Sequence, residues 1–203
     1  MAPIQNVLAD HGVHVSHETA AQFETYHALL VKWQKAVNLV SLNTVPDAAV
    51  RHFLDAAQLI KYIPDVSVPI ADLGSGAGFP GMVLAILGAE NMHLIESDQK
   101  KAAFLRAVSR ETKTTVTVHD QRIEDCVLPD TALVTARAFA PLDKILGYMV
   151  ESFPHARGLF LKGEKAQEEI LVAQKNFEFS VQTHPSISHA GAFIVEVADV
   201  VRL

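Results

Sequence analysis

The stretch that decides the fold runs from Ile70 to Gly81 and reads IADLGSGAGFPG. An apolar run ends abruptly in glycines, and a second apolar run, Met82 to Leu87, follows at once. This layout is typical of a buried β-strand, a tight turn and a helix. Such a turn requires glycine where φ is positive and where the backbone contacts a ligand, because a Cβ would block both. We therefore predict a cofactor-binding loop between this strand and this helix.

Two cofactors compete for the loop. The segment from Gly76 to Gly81 satisfies the dinucleotide pattern G-x-G-x-x-G, which by itself is a weak match. The longer pattern Asp72-x-Gly74-x-Gly76-x-Gly78 is more discriminating, and it resembles the motif of S-adenosylmethionine-dependent methyltransferases. Glu96 ends the next predicted strand about 20 residues after the loop, where a carboxylate can accept hydrogen bonds from both ribose hydroxyls. Glu96 supports either cofactor, since both have a free ribose diol.

Composition limits the class of protein. The chain has 203 residues, 49% of them hydrophobic, and a formal net charge of −6, which predicts one globular unit. There is no apolar run long enough to span a membrane and no secretory signal pattern, so we expect a soluble, cytoplasmic protein. Cys126 is the only cysteine, and the ten histidines form no H-E-x-x-H pair. A metal site is not expected.

The order of predicted elements gives the fold class. Residues 1–66 are expected to form a helical extension, in which Ser16 caps a helix that carries Phe23, Tyr26 and Leu30 at spacings of three and four. Residues 67–203 alternate strands and helices, the signature of a doubly wound, mostly parallel α/β sheet of Rossmann-like type. Seven strands are predicted, near 68–73, 92–96, 115–119, 131–136, 157–162, 177–184 and 192–199. Helices are predicted near 80–89, 98–111, 141–152 and 165–175.

Ligand chemistry belongs at the carboxyl ends of these strands. Ile123 and Glu124 follow the third strand and suit an adenine ring and its exocyclic amine. Arg137 follows the fourth strand. A further helix is predicted from Pro46, and on it His52 and Asp55 lie at i and i+3, which indicates either a functional site or a local charge network.

The loop after the fourth strand narrows the reaction. Enzymes that methylate exocyclic amines usually carry an Asp/Asn/Ser-Pro-Pro-aromatic motif here, and Arg137 to Pro141 reads RAFAP instead. Methylation of a pyrimidine carbon requires a cysteine that adds to the base, and Cys126 is in no Pro-Cys context. What remains is an acceptor that is nucleophilic unaided or needs only a local base. Purine N7 qualifies, because its lone pair lies in the ring plane and its methylation requires alignment rather than a strong general base.

Along nearly its whole length the chain resembles the small-subunit ribosomal RNA methyltransferase G family, also called glucose-inhibited division protein B. The segments that carry the resemblance are Lys32–Leu39, Val50–Asp55, Asp72–Gly81, Phe104–Arg106, Gln121–Glu124, Arg137–Leu142 and Leu161–Gly163. Gln34 and Val37 replace an Asn and an aromatic residue that are common in the family, and Glu96 stands where an Asp is frequent.

The resemblance implies methyl transfer from S-adenosylmethionine to N7 of a guanine in the decoding region of bacterial 16S ribosomal RNA. It also implies that Gly74, Phe79, Ile123, Glu124 and Arg137 contact the cofactor. Together with the loop motif and the ribose anchor, the expected cofactor-binding residues are Asp72, Gly74, Gly76, Gly78, Phe79, Glu96, Ile123, Glu124 and Arg137. The candidates on the substrate side are Lys32, Asn38, His52, Asp55 and Arg137.

Two other functions share part of this pattern. A dinucleotide-dependent oxidoreductase would share the loop, but the chain leaves no room for a substrate domain. A small-molecule methyltransferase would share everything from Val68 onward, and it fits the acidic net charge better. For an RNA enzyme of this charge, we predict that the substrate is a ribosomal particle rather than free RNA, because preformed RNA shape or protein contacts then replace nonspecific attraction.

Overall fold

The computed structural model describes residues 3–203. Its strands are β1 Pro69–Leu73, β2 Asn91–Ile95, β3 Thr117–His119, β4 Leu133–Arg137, β5 Arg157–Lys162, β6 Phe177–Pro185 and β7 Phe193–Arg202. They form one sheet in the order β3-β2-β1-β4-β5-β7-β6. The first five strands are parallel, and β7 pairs antiparallel with both β5 and β6. The predicted seven-stranded, doubly wound sheet closed by a hairpin is confirmed.

The helices cover both faces of the sheet. They are α1 Ile4–Asp10, α2 His17–Gln34, α3 Asp55–Ala57, α4 Gly81–Ile86, α5 Gln99–Thr112, α6 Leu142–Ser152 and α7 Ala166–Ala173. The predicted cap of α2 is present, since Ser16 Oγ accepts a hydrogen bond from the Thr19 backbone N–H at 3.1 Å. No helix within residues 3–203 has both the length and the apolar character needed to cross a membrane.

The alternation of side chains along the strands divides the core into two layers. On β1, Ile70 faces one layer, whereas Ala71 and Leu73 face the other, as the two-residue repeat of a strand requires. The first layer contains α1, α2, α4 and α5, and the second contains α6, α7 and the β6–β7 hairpin. The cofactor loop leaves β1 between these layers, at the carboxyl edge of the parallel strands.

The N-terminal helices share the first layer with the rest of the chain. Phe23, Tyr26 and Leu30 of α2 are fully buried in the same cluster as Met82 of α4 and Phe104 of α5. The division at residue 66 therefore cuts through one continuous core and stays a prediction. Residues 1 and 2 of the predicted extension lie outside the described residues.

Two local predictions need correction. The helix expected from Pro46 is irregular, because Ala49–Leu54 is π-helical and Gln58–Tyr62 is a 3₁₀-helix, with only α3 between them in α-helical form. Single π-turns often occur at functional sites, and this one carries His52. The helix predicted near 80–89 begins at Gly81, and Pro80 precedes it as the N-cap residue, after a cis Phe79–Pro80 peptide bond.

Candidate active site

The glycines of the cofactor loop have the backbone conformations that the sequence predicts. Gly74, Gly76 and Gly78 have φ values of +62°, +55° and +92°, a region that residues with a Cβ rarely adopt. Gly78 has a second reason to be glycine, since a Cβ there would lie 2.6 Å from the Tyr26 hydroxyl oxygen. That hydroxyl donates a hydrogen bond to the Ala77 carbonyl. The N-terminal helix α2 therefore holds the cofactor loop directly.

The loop forms one wall of a cavity of about 300 Å³ at the carboxyl ends of β1, β2 and β4. This cavity, here called the cofactor cavity, is lined by Gly74, Gly76, Ile95, Glu96, Ser97, Lys101, Gln121, Arg122, Ile123, Glu124, Phe139, Lys144 and Tyr148. Five of the expected cofactor-binding residues are in this lining: Gly74, Gly76, Glu96, Ile123 and Glu124. The structure thus brings together residues that are up to 50 positions apart in the sequence.

Glu96 is fixed at the end of β2 by two backbone groups. Its Oε2 accepts a hydrogen bond from the Gly76 N–H and its Oε1 accepts one from the Asp98 N–H, both at 2.8 Å. The residue is 92% buried, its exposed fraction being 8%. Each carboxylate oxygen has a further lone pair, so this carboxylate is oriented and can still accept two hydroxyl groups.

Apolar and aromatic side chains complete the lining of the cofactor cavity. Ile123 is buried, and Glu124 beside it accepts a hydrogen bond from the Tyr148 hydroxyl at 3.1 Å. Phe139 lies so close to Gly74 that a Cβ on this glycine would come within 2.3 Å of the Phe139 ring. Sequence reasoning missed both aromatic residues. The position of Phe139 after β4 was a signal that it could have used, whereas Tyr148 lies within α6 and offered none.

These residues fit S-adenosylmethionine. An oriented carboxylate suits a ribose diol, and a buried Ile beside an exposed carboxylate suits an adenine ring with its exocyclic amine. The ring of Phe139 beside the glycines offers a π-face, which attracts a positively charged sulfonium group. A cofactor with these three parts therefore finds a matching group for each of them in the cofactor cavity.

Four expected cofactor-binding residues lie outside the lining: Asp72, Gly78, Phe79 and Arg137, the last of which lines the substrate cavity described below. Asp72 is completely buried beneath the loop, where Thr135 Oγ1 donates a hydrogen bond to its Oδ1 at 2.7 Å, and burial raises the pKa of Asp72 to about 6. Gly78 faces Tyr26, as described above. Phe79 is 97% buried, with an exposed fraction of 3%. A direct contact of these residues with the cofactor stays a prediction, and the structure supports an indirect role of the first three in shaping the loop.

A second and larger cavity of about 580 Å³ adjoins the first, and the loop after β4 separates the two. This substrate cavity is lined by Ser41, Thr44, Arg51, His52, Asp55, Arg137, Ala138, Ala140, Pro141, Leu161, Lys162, Gly163, Glu169, Ser186, Ser188, His189, Ala192 and Phe193. Three of the substrate-side candidates, His52, Asp55 and Arg137, are among these residues. Arg137 was also expected to contact the cofactor, and it lines only the substrate cavity.

Arg137 is held by three groups of the irregular helical segment. Its Nη1 donates to the Arg51 carbonyl oxygen at 3.1 Å, to His52 Nδ1 at 3.1 Å and to Asp55 Oδ2 at 3.4 Å. Its guanidinium carbon also lies 4.9 Å from the centre of the Phe79 ring, a cation–π contact. Phe79 thus connects the cofactor loop to the wall of the substrate cavity. The local charge network predicted around His52 is present, and a functional role of this network stays a prediction.

His52 acts as a neutral side chain in this network. Burial, followed by the positive charge of Arg137, lowers the pKa of His52 to about 3. Since Arg137 donates to Nδ1, the proton lies on Nε2, which donates to Thr44 Oγ1 at 2.8 Å; Thr44 in turn donates to the Ser41 carbonyl oxygen at 2.7 Å. This directed chain fixes Arg137 and the 3₁₀-helix Leu42–Thr44 relative to each other.

The two remaining candidates lie outside the substrate cavity. Lys32 on α2 and Asn38 after it are exposed and are not part of the lining. The departure at Gln34 has a structural role, because its Oε1 accepts hydrogen bonds from the Leu39 and Val40 N–H groups at 3.0 Å and its Nε2 donates to the Val40 carbonyl at 2.8 Å. This side chain therefore shapes the loop that follows α2.

Metal ligands are not grouped in the described part of the chain. Among residues 3–203, no three His, Cys, Asp or Glu side chains are arranged to hold a metal ion. The two cavities are therefore described by hydrogen-bonding, charged and aromatic groups. That the reaction needs no metal stays a prediction.

The sequence also matches a known protein family. Residues 19–194 match the family model described as rRNA small subunit methyltransferase G. The chain belongs to this family. Curated members called ribosomal RNA small subunit methyltransferase G include one from Paramagnetospirillum magneticum, which is 46% identical over 93% of this chain and 92% of its own length. The member from Rickettsia prowazekii is 35% identical over 93% of this chain and 98% of its own length.

Solved structures confirm the fold of this family member. Magnesium protoporphyrin IX methyltransferase from Synechocystis PCC 6803, solved with bound SAM, has a TM-score of 0.60 at 12% identity, covering 92% of this chain and 99% of its own. A SAM dependent methyltransferase from Aquifex aeolicus has a TM-score of 0.56 at 12% identity, covering 75% of this chain and 93% of its own. The Rossmann-like methyltransferase fold predicted from the sequence is thereby confirmed.

Proposed function

We propose that this family member transfers a methyl group from S-adenosylmethionine to N7 of a guanine in the decoding region of 16S ribosomal RNA. The observation that carries the proposal is the pair of adjoining cavities, one matched to an adenosyl cofactor and the other large enough for a purine nucleotide. The names of its relatives give the substrate class. A ribosomal substrate places the reaction in the cytoplasm.

Each part of the cofactor would contact a different group of residues in the cofactor cavity. Glu96 would hold the ribose hydroxyls, Ile123 would pack on the adenine ring and Glu124 would accept from its exocyclic amine. Phe139 and the glycines Gly74 and Gly76 would enclose the methionine part. The bound cofactor supplies an electrophilic methyl group on its sulfonium.

The lining of the substrate cavity has an excess of positive charge, which suits an RNA nucleotide. It contains Arg51, Arg137 and Lys162, whereas its acids are Asp55, paired with Arg137, and Glu169, paired with Lys162. Lys162 also donates to the Ala140 carbonyl at 2.7 Å and to Glu169 Oε2 at 2.8 Å, which fixes the loop between the cavities. Purine N7 carries a lone pair and no proton, so these residues need to orient the base and exclude water, but not to remove a proton. His52, which is neutral through its low pKa, fits this requirement as a group that positions Arg137.

A first experiment tests the cofactor. Calorimetric titration with S-adenosylhomocysteine should give binding, whereas NAD should give none. Glu96→Gln should weaken the binding by tenfold or more. An NH₂ donor then replaces one of the two carboxylate oxygens, so it faces a backbone N–H without a hydrogen bond and leaves the ribose with one acceptor fewer. Glu178→Gln on β6, an exposed position outside the lining of both cavities, makes the same change of charge and is the control. Binding of NAD alone would refute the methyltransferase assignment.

A second experiment tests the substrate. Unmethylated small ribosomal subunits and tritiated cofactor should yield 7-methylguanine in 16S RNA. Arg137→Lys should lower the rate by tenfold or more, because lysine lacks the planar guanidinium whose carbon lies 4.9 Å from the centre of the Phe79 ring. Arg110→Lys, whose side chain is 71% exposed, should have no effect. We expect subunits to be better substrates than deproteinised RNA at physiological salt. The net charge of −6 favours a small-molecule acceptor as the second candidate, which gains support if neither RNA is methylated.

A further inference from the structure

An apolar groove lies beside the substrate cavity, at the end of α2. It has a volume of about 310 Å³ and is lined by Val31, Gln34, Lys35, Leu42, Val45 and Pro46. Leu42 is the most exposed of these apolar side chains, with 70% of its surface open to solvent, and Val31 is 37% exposed. Large apolar side chains that line an open groove are a feature of surfaces that bind a partner.

The groove and the substrate cavity share a rim. Leu42 begins the 3₁₀-helix Leu42–Thr44, while Ser41 before it and Thr44 at its end both line the substrate cavity. A 3₁₀-helix rises about 2 Å per residue, so Leu42 lies only a few ångströms along the chain from the cavity wall. Whatever enters the cavity as part of a longer chain passes next to this groove.

The rim is rigid. The Gln34 side chain makes three hydrogen bonds with the backbone of Leu39 and Val40, and Thr44 is held by the Ser41 carbonyl and by His52. Leu42 therefore has a fixed position relative to Arg137, to which His52 is also bonded. A preformed surface of this kind loses little conformational entropy when it binds.

The charge beside the groove suits phosphate. Lys32 and Lys35 are both exposed, and within residues 3–203 neither has a carboxylate oxygen within 4 Å. From Ala28 to Ala48 the chain has these two lysines and a single acid, Asp47, in contrast to the net charge of −6 for the whole chain. Cations next to an apolar floor match a nucleotide, whose phosphate is negative and whose base has a large apolar face.

We propose that this groove binds an unstacked RNA base next to the target guanine, with Leu42 against the face of the base and Lys32 and Lys35 against the adjoining phosphates. The inference rests on the proposed function and extends it from the target nucleotide to its neighbour. Enzymes that act on a base take it out of the stack, and a site for the adjacent base keeps the strand open. This role accounts for the exposure of Leu42, which does not pack in the hydrophobic core.

The kinetic test compares Leu42→Ser with Val201→Ser, a similarly exposed apolar residue near the end of β7, at the opposite edge of the sheet. On small subunits, Leu42→Ser should lower kcat/KM about five- to tenfold, as expected when a base covers part of an exposed leucine side chain. It should leave the affinity for S-adenosylhomocysteine unchanged. Lys35→Ala should reduce the slope of log kcat/KM against log salt by about 0.7, the value for one phosphate contact to a single strand. Lys175→Ala, also near the opposite edge, should not.

A cross-linking test identifies the partner. Cys126 is the only cysteine and is buried, so Leu42→Cys can be labelled selectively with a benzophenone maleimide, and Val201→Cys is the control. Irradiation on small subunits should give cross-links to 16S RNA within a few nucleotides of the methylated guanine. Cross-links to a ribosomal protein alone, none above the control, or equal kinetics for Leu42→Ser and Val201→Ser would each overturn the inference. If the wild type methylates no RNA, the proposed function fails instead.

Discussion

Replacing Tyr26 by Phe removes a single oxygen atom that joins the N-terminal helix α2 to the cofactor loop. The Tyr26 hydroxyl donates to the Ala77 carbonyl, and the Tyr26 side chain is fully buried. In the variant, that carbonyl loses its partner in a place that water cannot reach. Leaving a buried acceptor without a hydrogen bond costs about 1–3 kcal/mol. We therefore expect Tyr26→Phe to lower the free energy of unfolding by about this amount.

The same change should weaken cofactor binding, because Ala77 lies between Gly76 and Gly78, whose backbone conformations shape the cofactor cavity. Urea unfolding gives the stability, and calorimetric titration with S-adenosylhomocysteine gives the affinity, which we expect to fall severalfold. Tyr62→Phe is the matched control. Tyr62 is partly exposed and packs on His184 with 4.5 Å between ring centres, so the loss of its hydroxyl group should change the free energy of unfolding by less than about 0.5 kcal/mol. If the two variants have equal stability and equal affinity, the hydroxyl of Tyr26 does not hold the loop.

Two further predictions concern the sheet. His93 Nδ1 and His119 Nε2 lie 3.0 Å apart on β2 and β3, and burial lowers the pKa of both histidines. The unfolded chain therefore binds more protons than the folded one, so the free energy of unfolding should fall as the pH drops below about 6.5. His119→Gln should reduce this fall. An unchanged pH dependence in urea titrations of that variant would contradict the assignment. A Cβ on Gly81 would lie 2.4 Å from Leu94 Cδ2 and 2.8 Å from Asp72 Oδ2, so Gly81→Ala should lower the free energy of unfolding by about 1–3 kcal/mol. Gly147→Ala is the control and should not lower it, because the atom nearest to the new Cβ would be 3.7 Å away.

Part of the cofactor cavity could be predicted because its residues lie in the glycine turn or at the carboxyl end of a neighbouring parallel strand. The turn between β1 and α4 requires φ > 0 at Gly74, Gly76 and Gly78, and the structure has it there. Glu96 was predicted at the end of the adjacent strand, and it lies within hydrogen-bonding distance of Gly76. Local conformational requirements and strand order were sufficient for these residues.

The direction in which the side chains of the loop point could not be predicted. Phe79 follows the glycines of the motif, yet its ring is buried against Tyr26 of α2 and His52 of the irregular helical segment. Asp72 is buried beneath the loop, where it accepts a hydrogen bond from Thr135 of β4. These partners are all distant in sequence. The π-helical turn that presents His52 to Arg137 was also missed, because the apolar spacing around it is that of an ordinary α-helix.

The sequence by itself determined the order of strands and helices, the glycine turn and the acid at the end of β2, since each depends on residues that are neighbours along the chain. Only the tertiary structure decided which residues share a cavity. It placed Phe139 and Tyr148 beside the cofactor cavity, placed Arg137 in the lining of the substrate cavity and left Lys32 and Asn38 outside both cavities. The physical reason is that the cavities are formed where the carboxyl ends of separate strands meet, and the packing of distant helices, not local spacing, determines which side chains reach that place.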